Sequence, residues 1–138
     1  MGNNKLCAGL NDAAKTIHED NKRKGFWDNK RETGTLLMLC VSELAEALEA
    51  DRKNKKAQLN KFVGFSNMGF DKDYNTYLNE DAIPSFETNI KDTFEDEIAD
   101  TVIRILDLCG AMGIDIERHI NLKLKYNRSR ERMHGKAY

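Results

Sequence analysis

Four acidic residues fall into two pairs with the same spacing. Glu43 and Glu46 stand in 40-CVSELAEALEAD-51, and Glu97 and Asp100 stand in 94-FEDEIADTVIRILDLC-109. Both stretches are rich in Leu, Ile and Ala and free of Pro, so both read as helices. At about 100° per residue, a three-residue offset puts each pair on one face, one turn apart. On the first helix that face also carries Leu36, Leu39, Ala47 and Ala50; on the second it carries Thr101, Arg104, Leu108 and Ala111. A carboxylate on a dry face protonates or needs a counter-charge. Two helices lying side by side would bring four such carboxylates together. A hard divalent cation answers that need: Mg²⁺ takes oxygen ligands, keeps several waters and recruits substrate phosphates. No His or Cys joins the four acids, which argues against a softer metal.

A plainer reading competes. Acids three apart are common on solvated helix faces, and Arg104, four residues beyond Asp100, offers a simple ion pair. The C-terminal segment 118-RHINLKLKYNRSRERMHGKAY-138 adds a third feature, with Lys123, Lys125, Arg128, Arg130, Arg132 and Lys136. Such charges suit the negative end of a helix. They also suit phosphate oxygens, with Asn127 adding a hydrogen bond. An acidic cage plus a basic clamp points to a substrate with several phosphates.

The elements that position these residues are helical. One helix is expected from about Lys5 to Lys24, with Leu6, Leu10, Ala13, Ala14 and Ile17 on one face and Gly25 ending it. A second is expected from about Leu36 to Asn54. Its stripe Leu37, Val41, Leu44 and Leu48 lies roughly 120° from the acidic one, so burial on two sides is expected. Residues 57–86 break the pattern with Phe62, Phe65, Phe70, Tyr74, Tyr77 and Phe86, an aromatic-rich insert expected to pack as a lid or subunit contact. Pro84 marks its end, and Ser85 is the expected cap. A third helix is expected from Glu87 to Met112, closed by Gly113. A fourth runs from Ile116 to Arg132, capped by Asp115. The fold class is all-α, a bundle of about four helices in one domain spanning 1–138.

Composition sets the remaining bounds. The chain has 138 residues and a formal net charge of -1, which gives no electrostatic case for sequence-specific nucleic-acid binding. Cys7, Cys40 and Cys109 lack paired spacing and read as reduced thiols. No apolar run reaches the roughly 18 residues of a membrane span, and no signal-peptide pattern is present. A cytoplasmic setting without membrane partners is the expectation.

The segments 25-GFW-27, 41-VSELAEALEADR-52, 97-EIADTVIRILDLC-109 and 125-KYNRSRERMHGK-136, in this order, resemble the all-α nucleoside triphosphate pyrophosphohydrolases of the MazG type, in particular a small MazG-like branch. The resemblance covers most of the chain outside the insert. It implies Mg²⁺-dependent hydrolysis, with Mn²⁺ as a substitute, of a (deoxy)nucleoside triphosphate to monophosphate and pyrophosphate. It implies that Glu43, Glu46, Glu97 and Asp100 are the metal ligands and catalytic acids, and that Lys125, Asn127 and Arg130 contact phosphate. It also implies a homodimer or homotetramer. Trp27 is a candidate to stack on the base or to cap a helix junction, and His134 a candidate phosphate contact. The longer gap between Glu46 and Glu97, and the acid at Asp107 where an amide is expected, depart from the pattern. Two rivals are a catalytically silent relative serving as a nucleotide-binding or interaction module, and a di-iron bundle. The latter needs Glu-x-x-His twice, and only Glu131 and His134 have that spacing.

Overall fold

The structure is a computed structural model that describes residues 9–62, 78, 80 and 82–135, the side chains of 134 and 135 excepted. Among these residues it holds five α-helices, two short 3₁₀ turns and no strand: α1 (Leu10–Arg23), α2 (Thr33–Arg52), α3 (Ala82–Asn89), α4 (Phe94–Met112) and α5 (Ile116–Ser129). The 3₁₀ turns are Leu59–Lys61 and Arg132–Gly135. The all-α class is therefore observed. No helix among the described residues is long and apolar enough to cross a membrane.

Local chemistry ends the helices where the punctuating residues stand. Gly25 takes φ 85°, and Phe26 N–H returns to the Asn21 carbonyl at 3.1 Å, closing α1. Asn54 does the same for α2 at φ 54°, with Lys55 N–H bonded to the Ala50 carbonyl at 2.9 Å. Gly113 closes α4 at φ 65°, and the Asp115 carboxylate accepts from Arg118 N–H at 3.1 Å to cap α5.

One expected helix is two. The run from Glu87 to Met112 breaks between Asn89 and Phe94, so the helix count rises from about four to five. Asp92 sits at φ 59°, and Asp96 N–H reaches the Thr93 hydroxyl at 3.4 Å while the Asp96 carboxylate accepts from Asp92 N–H at 3.0 Å. These side-chain caps on neighbouring N–H groups start α4 afresh. Ser85 does not stand before a helix as expected: it lies inside α3, whose first turn accepts Pro84 because the N–H that Pro lacks has no intrahelical partner there. Of the insert's aromatics, Phe65, Phe70, Tyr74 and Tyr77 lie outside the described residues, as does Cys7. Phe62 and Phe86 meet edge to face at 6.4 Å.

The chain divides into two compact units. The first combines the residues up to Asn29 with those from Leu106 onward; the second is Lys30–Ile105. In the first, α1, α5 and the end of α4 enclose a small core of Ala14, Leu106 and Cys109, flanked by Leu10, Ala13, Ile17 and Ile116. Asn11 ties the starts of α1 and α5, donating from its side chain to Asp115 at 2.8 Å and from its backbone to Glu117 at 3.3 Å. In the second unit, Phe94 N–H donates to the Lys55 carbonyl at 2.9 Å, and Ala57 N–H donates to the Glu95 carboxylate at 2.8 Å. The end of α2 is thus fastened to the start of α4, and the two helices run antiparallel from that point. Cys40 and Cys109 are buried free thiols, as expected.

Gly110 sets the approach of α1 to α4. A Cβ there would lie 2.6 Å from the Ala14 carbonyl oxygen and 2.7 Å from the His18 Cβ. Gly110→Ala is expected to lower unfolding stability by about 1–3 kcal/mol through overpacking against backbone. Gly34→Ala, where nothing lies within 4 Å, is expected to be neutral or to gain up to about 1 kcal/mol. Urea denaturation of both variants checks the contrast.

Candidate functional site

The second unit brings one acid of the first pair together with both acids of the second. Carboxylate oxygens of Glu43, Glu97 and Asp100 lie within 4.8 Å of one another. Glu43 is 7% exposed and Glu97 4%. They arrive there because Cys40, Glu43, Ala47 and Ala50 form the buried face of α2, and Glu97 and Thr101 lie on a buried face of α4. The Thr101 hydroxyl donates to the Glu97 carbonyl at 2.9 Å, so it is occupied within its own helix.

Glu46 is exposed and does not share that oxygen cluster. It lies about 80° around the helix from the centre of the buried face. Its charge is nonetheless felt: burial pushes the Glu97 carboxyl up from 4.5 to about 7, and the charges of Glu46, Asp100, Glu43 and Asp96 act the same way. Asp100 is also raised, first by burial, then by Asp96 and Glu43, while Arg104 pulls it down. Asp92, Asp96 and Glu97 form a second oxygen group, in which Asp96 is engaged as the α4 cap.

Arg104 takes a different partner from the one its spacing suggested. Its Nε donates to the Glu43 carboxylate across the helix pair, leaving Asp100 without that bond. Its face was legible, seven residues from Glu97 and four from Asp100, but the choice between Asp100 and Glu43 depended on the helix facing α4. The burial of α2 on two sides is not observed among the described residues. Leu37, Val41, Leu44 and Leu48 are each about half exposed.

The remaining candidates lie in the first unit. Lys125 and Arg130 are exposed and Asn127 is half-buried, near the end of α5. The Arg130 guanidinium stands 5.6 Å from the Tyr126 ring centre and Lys123 Nζ 5.1 Å from it, so part of the positive charge is arranged on an aromatic face. The His134 side chain lies outside the described residues.

Trp27 is part of a network that the sequence did not reveal. Its indole N–H donates to both Asp107 oxygens at 3.1 Å. Asn21 donates to the same carboxylate at 2.9 Å, and His18 Nδ1 lies 2.8 Å from it. The His18 and Trp27 rings meet edge to face at 4.8 Å. The partners are 80 to 89 residues from Asp107 in sequence, beyond the reach of any helical period.

Chemically, the three clustered carboxylates fit a hard cation. Two oxygens on one Mg²⁺ are at most ~4.2 Å apart, given bonds of ~2.1 Å, so oxygens within 4.8 Å need only a small closure. No protein-family model, curated protein or solved structure matches the chain.

The raised Glu97 has a consequence for stability. The unfolded carboxyl loses its proton near 4.5 and the folded one near 7. Between these values the native state binds more protons, so stability falls as pH rises through that window. Asp100 adds to the same trend. In EDTA, Glu97→Gln is expected to unfold at higher temperature than wild type at pH 8, by roughly 1–3 kcal/mol of stability. The difference should vanish near pH 4. Calorimetric melting across this range is the check, and a difference independent of pH would contradict it.

Proposed function

We propose that the chain is a Mg²⁺-dependent nucleotide pyrophosphohydrolase of the MazG type. In this reading it cleaves a (deoxy)nucleoside triphosphate to monophosphate and pyrophosphate. The observation that carries the reading is the convergence of Glu43, Glu97 and Asp100 from two helices, with two of the three buried. Burying like charges together is unfavourable unless a cation joins them, and Glu97's elevation expresses that cost. Glu43, Glu97 and Asp100 would hold the ion, with the exposed Glu46 as an outer ligand or a partner to its waters. Bound there, Mg²⁺ would supply charge neutralisation for phosphate oxygens and lower the pKa of a coordinated water. Mn²⁺ is the natural substitute, with the same oxygen preference. Lys125, Asn127, Arg130, Trp27 and His134 enter as substrate contacts on the strength of the sequence resemblance alone, as does a cytoplasmic setting.

A second reading has an observation of its own. Arg104 already gives Glu43 a counter-charge, as a silent nucleotide-binding relative would require. The two readings part on turnover. The hydrolase reading expects Mg²⁺-dependent pyrophosphate release from some member of a panel of ribo- and deoxynucleoside triphosphates. Glu43→Gln and Asp100→Asn should each lower kcat at least about a hundredfold, the loss of a few kcal/mol of transition-state stabilisation, while helical content is kept. Wild-type release that neither substitution reduces would remove these acids from the site. No release from the whole panel, with metal still bound, would favour the silent relative.

The assembly belongs to the same proposal. On α2, Leu37, Val41, Leu44 and Leu48 recur at a near-heptad spacing, and on α4, Ile98, Val102 and Ile105 are also exposed. Because the helices run antiparallel and each stripe is rotated the same way from the acidic seam, the two stripes lie on one side of the second unit. A contiguous apolar face of this kind is unusual on a monomer, and its match in length and chemistry to itself suits a second copy of the chain. Light scattering is expected to give a dimer or tetramer, and Leu44→Asp a smaller species with its helices intact. A monomeric wild type would contradict the homo-oligomer.

A further inference from the structure

The first unit contains a feature that the hydrolase reading does not use. A groove of about 320 Å³ runs along α1 and the end of α4, lined among others by Asn11, Lys15, His18, Lys22 and Gly110. Asn11, Lys15, His18 and Lys22 follow one another at offsets of four, three and four, so they form one stripe of α1. Lys15 and Lys22 are exposed and have no ion-pair partner among the described residues. Asn11 is already committed to Asp115 and Glu117 and acts as a wall.

The hydrogen bond to Asp107 selects the tautomer of the neutral His18 ring. A carboxylate offers only acceptors. Asp107 takes the Trp27 and Asn21 donors and therefore takes the Nδ1 proton of His18 as well. Neutral His18 is left with its lone pair on Nε2, and that nitrogen has no hydrogen-bond partner among the described residues. The ring is not sealed off either, because no buried, unpartnered side-chain nitrogen exists among the described residues. Gly110 lets the Ala14 backbone and the His18 Cβ approach α4 closely enough for this arrangement. The groove thus combines two exposed ammonium groups with one oriented acceptor. Glu19 stands on the same lining and offsets one lysine, which disfavours long polyanions.

We propose that this groove is a binding site for a small anion carrying an acidic hydroxyl, of which hydrogen phosphate is the simplest. Its charged oxygens accept from Lys15 and Lys22, and its P–O–H donates to His18 Nε2. Asp107 is the positioning residue, because it fixes which imidazole nitrogen faces the ligand. The proposal does not rest on the hydrolase reading, and it is tested with metal removed, so failure of one leaves the other standing.

Sulfate supplies the decisive comparison. It matches phosphate in size and charge but has no proton to donate to Nε2. Titrations of the full chain in EDTA, followed by calorimetry and by the His18 ring resonances in NMR, are expected to show saturable phosphate binding. Sulfate should bind at least about tenfold more weakly, the cost of one unmade hydrogen bond with its acceptor left unpaired. The His18 resonances should move with phosphate. The double variant Lys15→Ala, Lys22→Ala changes only exposed side chains and should weaken phosphate by about tenfold or more. Absence of saturable binding at millimolar phosphate, equal affinity for sulfate, unmoved His18 resonances, or wild-type affinity in the double variant would each overturn the proposal.

Discussion

Helix pairing in the second unit carries an unfavourable contact with it. Glu43 on α2 and Glu97 and Asp100 on α4 share a seam that is otherwise lined by Cys40, Ala47, Ala50 and Thr101. The buried neighbours are small side chains, and the three carboxylates lie with oxygens within 4.8 Å of one another. Removing water from them raises Glu97 to about 7. The seam therefore has three ways to lower its energy: keep a proton on Glu97, draw in Arg104, or hold a cation. Arg104 is drawn in and burial favours a proton on Glu97, and both answers are partial. Arg104 reaches one carboxylate of the three, and a protonated Glu97 loses its proton in the ordinary range of cellular pH.

That division explains why a fold would retain such a seam. A well-packed apolar contact in place of the acids would stabilise the helix pair more simply. Burial of like charges is common at sites that bind or react. The exposed stripe of Leu37, Val41, Leu44 and Leu48 lies on another face of the same helix, the one proposed to meet a second copy. In the first unit, Asp107 shows the opposite solution. It is also a poorly exposed acid, but three side chains supply it with donors, so it orders its neighbours without needing a cation.

Different parts of this organisation were legible in the sequence to different degrees. Helix ends that depend on one residue's own conformational preference, at Gly25, Gly113 and Asp115, could be read directly. The break before α4 could not be seen from periodicity, because 87–112 contains no Pro and its first Gly comes late. Its signal was the Thr93-x-x-Asp96 cap, a local hydrogen-bond exchange rather than a change of pattern. The acidic pairing was visible as spacing, yet spacing overstated Glu46, because one turn of offset also rotates a side chain away from the centre of a narrow buried face. The two-sided burial of α2 failed for a related reason: an apolar stripe reports that a face needs cover, not that the same chain supplies it. The network around Asp107 was invisible, since it joins α1, the following turn and α4 across the length of the chain.

The claim on which the rest turns is that the acidic seam is a cation site. Its most direct test is calorimetric titration of Mg²⁺ and Mn²⁺ into the chain at pH 6.5, in two buffers of different ionisation enthalpy. A cation that takes Glu97 as a ligand displaces the proton this carboxyl holds below about 7. The account predicts saturable binding accompanied by proton release that diminishes as the pH is raised. Absence of binding, or binding with no proton released, would contradict it and leave the three carboxylates as an ion-paired structural contact.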